Sequence, residues 1–186
     1  MPKIVDRDAV RREIALALLR VLAEQGIEAV SVRTVAAAAG RSPGAVQKYF
    51  ATKEELLTAA FELYCERSGD RIAAVPRGTD RAETVTALVA ATLPLDEQSR
   101  LDALVLHEFA LRAARDERIA ARLRELDREV LDALIAFTGL SAAAASALFA
   151  VSDGLALRLL YGSQSRTAAL AALRTSVAAV LEAPEH

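Results

Sequence analysis

The chain of 186 residues carries one cysteine, Cys65, no tryptophan and only 4% aromatic residues. A single thiol excludes an intrachain disulfide and any cysteine-rich metal cluster. Histidine is nearly as scarce, with only His107 and the C-terminal His186. No His-Glu-x-x-His, Cys-x-x-Cys, phosphate loop or nucleophile elbow occurs, so no metal, no cofactor and no catalysis are expected. His107 and Glu108 could form an acid–base pair, but adjacent helical positions diverge by about 100°. β-branched runs are missing and alanine is abundant, which points to an all-α fold.

Long uncharged runs are also few. The longest, Ala133 to Ser152, could span a bilayer by length. Thr138-Gly139 stops it and Ser141 restarts it as a cap, so no membrane segment is expected. The opening residues, MPKIVDRDAVRREI, are charged and have no apolar centre; they read as neither secretory signal nor anchor, and a cytoplasmic address is expected. Lysine is confined to Lys3, Lys48 and Lys53. Residues 1–53 balance at +4 and residues 54–186 at −6, within a net charge of −2. A basic head on an acidic body suits a protein that meets phosphates at one end.

What is present is concentrated between Ser31 and Leu57, SVRTVAAAAGRSPGAVQKYFATKEELL. Ser31 can cap a helix over about 32–39, with Thr34 as a second possible cap and Gly40 as its stop. Ser42 and Pro43 then open a short helix predicted to reach Phe50. Val35, Ala36, Ala39, Val46 and Phe50 fall at core spacing. Ala45, Gln47, Lys48 and Tyr49 are left facing outward, on an element sized for a major groove. Thr52 caps the next helix, with Glu54 and Glu55 in its first turn, where the helix dipole favours carboxylates. Lys53 at that same end is unfavourable for stability and easier to explain as a phosphate contact. The backbone N–H groups of Ser42 and Gly44, on either side of Pro43 at the helix start, suit a phosphate oxygen.

At these residues the chain resembles the TetR family of bacterial transcriptional regulators. The resemblance spans roughly Val10 to Leu57 and is carried by Gly26, Val32 to Ala39 and AGRSPGAVQKYFATKEELL. It implies a three-helix DNA-binding head with a helix-turn-helix over residues 1–52. A helical effector-binding and dimerisation domain would follow over residues 53–186. It also implies backbone contacts from Arg33, Tyr49 and Lys53, and base-facing positions at Pro43, Ala45, Gln47 and Lys48. Gln47 stands where the family usually has Tyr. Arg41 replaces a small apolar residue and would add positive charge at the DNA. The partners so implied are a double-stranded DNA operator, a small-molecule effector and a second copy of the chain. The function implied is that of a repressor released from a palindrome. A different reading is a helical small-molecule binding or interaction protein whose head binds DNA weakly.

Beyond the head, amphipathic helices are predicted over about 53–74, 81–93, 97–114, 117–137, 141–161 and 166–182, with a loop at Val75–Asp80. Leu170, Leu173, Val177 and Val180 recur at three- and four-residue steps, and residues 142–147 are small. They suit either burial within the subunit or a dimer interface, and the resemblance favours the dimer. On the helix from about 97, Leu104, His107, Glu108 and Leu111 share a face on which a polar pair interrupts apolar residues. Such a wall suits an effector pocket, as it also suits a core with one satisfied histidine. Phe61, Tyr64, Cys65, Phe137 and Phe149 are further pocket candidates, each equally readable as core. Asp153 needs a partner if buried, and Arg112 or Arg158 could serve.

Overall fold

A computed structural model describes residues 6–76 and 78–183. Lys3, Arg77, Pro184, His186 and the start of the charged N-terminal stretch lie outside the described residues. Among the described residues the chain is all-α, with helices α1 (Arg7–Gln25), α2 (Val32–Ala38), α3 (Pro43–Gln47), α4 (Lys53–Ala73), α5 (Arg81–Ala90), α6 (Glu97–Ala113), α7 (Glu117–Thr138), α8 (Ala142–Leu160) and α9 (Arg166–Glu182). A 3-10 turn at Ile27–Ala29 joins α1 to α2.

Local chemistry sets most of these boundaries. Ser31 and Thr34 form a reciprocal capping box at α2, and Ser42, Thr52, Asp80, Asp96, Asp116, Ser141 and Ser165 each accept from the first turn of the helix that follows. Gly139 ends α7 in the left-handed region at φ 68°, where a side chain would be strained. Two predicted ends shift. α3 stops at Gln47 rather than Phe50, because the Val46 carbonyl accepts from both Tyr49 and Phe50 while Arg11 donates to the Tyr49 carbonyl at 2.6 Å. α5 stops at Ala90 rather than Leu93, since the residue before Pro94 is pushed out of helical geometry.

Two apolar cores form. The first joins the head to α4 and α6: Ile14, Leu18, Val35, Val46 and Phe50 pack in one cluster with Leu56, Phe61, Val105 and Phe109. Packing is therefore continuous across the 52/53 division. The second gathers α5, α7, α8 and α9 around Val85, Leu148, Leu173 and Val177.

The inward face of α6 differs from the expected one. Asp102, Val105 and Phe109 are buried, whereas Leu111 is 73% exposed and Leu104 and Glu108 are half-buried. The helix packs on α1, α4 and α8 together, so its buried arc is centred one position away from the stripe that hydrophobicity alone selects. The apolar face of α9 also differs from the expected one. Leu173 and Val177 are 0% and 1% exposed inside their own subunit, Val180 packs on the same core, and Leu170 is half-buried. That stripe closes the second core against α5 and α8, so it is not an open dimer surface.

α8 is long and apolar enough to cross a membrane by length and composition. Its exposed small and apolar residues, Ala143, Ala147, Ala150, Gly154, Leu157 and Tyr161, recur at alternating four- and three-residue steps and so lie along one face.

Candidate functional site

In the head, α2 turns into α3 through Gly40, at φ 63°, with the Arg41 N–H donating to the Ala36 carbonyl at 2.8 Å. Phe50 and Val46, both fully buried, pin α3 to the core, and the Arg11 guanidinium lies 4.3 Å over the Phe50 ring. This anchoring fixes what faces out. Ser42, Pro43, Gly44, Gln47 and Lys48 are exposed, Ala45 and Tyr49 are half-buried, and Arg33 is exposed on α2. Residues 42 to 49 among them make up the end of the α2–α3 turn and the outer side of α3.

Two cations differ from the sequence reading. Arg41 is half-buried and its Nη2 donates to Glu13 at 2.7 Å, a pairing that also raises the guanidinium pKa and offsets part of its charge within the head. Lys53 Nζ donates to the Ile27 carbonyl at 3.2 Å, which ties the start of α4 to the 3-10 turn and accounts for a lysine at an unfavourable helix end. An ammonium has three donors, so this bond leaves others free.

The body meets the head through α4. Asp102, 1% exposed on α6, pairs with Arg71 and, at 3.3 Å, with Arg67, one helical turn apart on α4. Burial lowers the Arg67 pKa and the carboxylate opposes that shift. Arg112 reaches Glu54 at 3.8 Å instead of Asp153.

Two adjoining chambers open beside these charges. The larger, about 470 Å3, is mostly apolar and includes Cys65, Phe137 and Phe149 in its wall. The smaller, about 300 Å3, includes Tyr64, Arg71, His107, Asp127, Phe149 and Asp153. Ser68, Ile72, Leu126, Val130 and Phe149 line both. Leu104, Glu108 and Leu111 line neither, and Phe61 packs instead against Phe109 at 4.8 Å in the first core. Burial pushes the Cys65 thiol up to about 11 and raises the Tyr64 hydroxyl further, against its hydrogen bond with Ser68. His107 Nδ1 lies 2.7 Å from the Ala103 carbonyl; a carbonyl can only accept, so Nδ1 carries a proton and Nε2 faces elsewhere. Asp127, Arg71 and the Asp102 pairing did not stand out in the sequence. The i, i+4 spacing of Arg67 and Arg71 on α4 was the available signal.

A capped, five-residue α3 held at the end of a three-helix head, above a body of longer helices, defines a helix-turn-helix protein with a helical second domain. Comparison with known proteins makes the class specific. Residues 14–60 match the model described as bacterial regulatory proteins, tetR family, and residues 81–182 match the BetI-type transcriptional repressor, C-terminal, model. The chain belongs to the TetR family of bacterial transcriptional regulators, whose members are DNA-binding proteins. The regulator PksA of Bacillus subtilis is 38% identical over 100 residues, 53% of this chain and 49% of that protein, so the match spans about half the length of this relative. A transcriptional regulator from Rhodococcus sp. Rha1 superposes with a TM-score of 0.83 at 34% identity, covering 92% of this chain and 96% of the other. A regulator from Saccharomonospora viridis, solved in complex with choline, shares the fold with a TM-score of 0.78 at 20% identity, covering 94% and 96% of the two chains.

Proposed function

We propose that this chain is a dimeric repressor that binds a palindromic DNA operator and leaves it when a small molecule occupies the body. The observation that carries this reading is the outer side of α3, where Gln47 and Lys48 are exposed on a helix locked from beneath by Val46 and Phe50. Gln47 can bond adenine and Lys48 guanine in a major groove, while Ser42, Pro43, Gly44, Ala45 and Tyr49 border the same surface. Gly44 fits close approach: a Cβ there meets nothing within 4 Å, so no packing contact demands glycine, and its absence leaves room for a phosphate backbone. Arg33 and the remaining donors of Lys53 supply phosphate contacts at the edges. Arg41, paired with Glu13, serves the head's own structure.

One short helix makes few contacts, and a two-fold pair of heads combines two half-sites. The exposed α8 face of Ala143, Ala147, Ala150, Gly154, Leu157 and Tyr161, beside Ala168, Ala171 and Ala178 on α9, suits close helix approach between two copies. The effector role falls to the paired chambers against α4. Their occupation shifts α4 and, through the continuous first core, the spacing of the heads. Retention of DNA fragments flanking the chain's own gene, measured with the sedimentation mass of the complex, tests the reading. Two chains per palindromic fragment are expected, and a body that folds and dimerises while retaining no such DNA contradicts it.

A further inference from the structure

α7 has one fully buried residue, Leu134, although its apolar residues Leu123, Leu126, Val130, Leu134 and Phe137 lie on one side. Much of that side also lines the two chambers beside its packing on the cores: Leu126 and Val130 line both, Leu134 and Phe137 the larger, and Leu123 the smaller. An apolar helix face over empty volume lacks the dispersion contacts that a filled core supplies. At the polar end, Asp127 of α7 and Asp153 of α8 both line the smaller chamber and both remain exposed at its mouth. Neither has an ion-pair partner among the described residues. Arg71, the guanidinium in that wall, is held by Asp102. Partial desolvation beside the chamber wall, short of full burial, is the first cause raising both carboxyl pKa values, and Asp127 further raises that of Asp153 while His107 opposes it.

From this juxtaposition we propose that the chambers bind an amphipathic organic cation, with its ammonium head between Asp127 and Asp153 and its hydrocarbon tail along α7. The wet carboxylates meet the head without full loss of water, and Tyr64 and Phe149 flank it with aromatic surface. The tail fills the side containing Cys65, Leu126 and Phe137. A charge without a tail leaves the larger chamber empty, and a tail with a carboxylate meets two like charges. The groups that titrate around the head are Tyr64 from α4, His107 from α6, Asp127 from α7 and Asp153 from α8. Acid discharges the two aspartates, so cation affinity falls as pH drops.

This inference deepens the effector reading and rests on it for its biological meaning. Calorimetric titration of the DNA-free protein separates the two, because a failure to retain DNA leaves this binding measurable. Octyltrimethylammonium is expected to bind, and choline and octanoate to bind at least about tenfold more weakly. The double variant Asp127→Asn/Asp153→Asn keeps the shape and is expected to lose about tenfold for octyltrimethylammonium. Its unchanged or raised melting temperature shows that it folds. Equal binding of octanoate, choline as tight as its octyl analogue, unchanged affinity in the double variant, or no binding of octyltrimethylammonium by the wild-type chain would each overturn the proposal.

Discussion

Asp102 on α6 pairs with Arg71 on α4 from a position that is 1% exposed, with Arg67 one turn earlier on the other side of the same carboxylate. One buried anion thus holds two cations of the helix that joins the head to the body. Its location is unusual, since α6 otherwise presents Val105 and Phe109 to the same neighbours. A latch of this kind biases where α4 sits, and a molecule beside Arg71 in the smaller chamber lies within reach of it.

Removing the anion strands both guanidiniums. Asp102→Ala should destabilise the protein by about 3 kcal/mol, the scale expected when one partner of a buried ion pair is lost. Thermal or urea unfolding measures it, and Arg71→Ala, at a site one-quarter exposed, should cost less.

Phe50 is a structural residue buried beneath the outer side of α3. Its replacement by Ala opens a cavity under α3 and removes the platform for Arg11, so a loss of about 3–5 kcal/mol is expected from unfolding curves. Gln47→Ala, by contrast, should leave stability unchanged and cost about 1–3 kcal/mol of DNA affinity at a single base position, read by binding to a set of operator variants.

Much of the head was legible because its instructions are local. Ser31, Ser42 and Thr52 each cap a helix by accepting from the backbone N–H three residues on, and Pro43 and Gly40 act through their own backbones. The body was less legible because it is rich in alanine and leucine, which suit a core, a chamber wall or an interface alike. The sequence separation of Asp102 from Arg67 and Arg71 hid the latch, and that of Glu13 from Arg41 hid their pairing. Leu173 and Val177 show the same ambiguity resolved inward, and Leu111 shows it resolved outward.

The raised carboxyl pKa values of Asp127 and Asp153 set a sign for the pH dependence. A group whose folded pKa lies above its unfolded value contributes stability that is full below the unfolded pKa and is lost as pH rises through the folded one. Asp153→Asn should therefore raise the melting temperature at pH 7 and leave it nearly unchanged at pH 3.

The Cys65 thiol, pushed up to about 11 mainly by burial, stays protonated in the folded chain well into the alkaline range. Because this folded value exceeds the ordinary one of 9.0, its contribution to stability is lost as pH rises from about 9 to about 11. Alkylation by iodoacetamide at pH 8 should be slow in the native protein and fast after unfolding.

A charge on the exposed α8 face should separate the copies. Leu157→Glu, at a residue 48% exposed in the subunit, should leave the melting of the monomer intact and shift sedimentation toward a single chain. A subunit mass already single in the wild-type protein would remove the basis for the two-fold operator.

Operator recognition requires that the outer side of α3 meet double-stranded DNA, and the salt dependence of operator binding in the wild type and in Lys48→Ala tests that most directly. Counterion release predicts a steep fall in affinity with salt, with a slope lower by about one in the variant if Lys48 meets a phosphate. If it meets a base, the slope stays and discrimination at one position relaxes. Binding that is indifferent to salt, or a variant identical to the wild type in affinity, slope and sequence preference, would contradict the assignment of this surface.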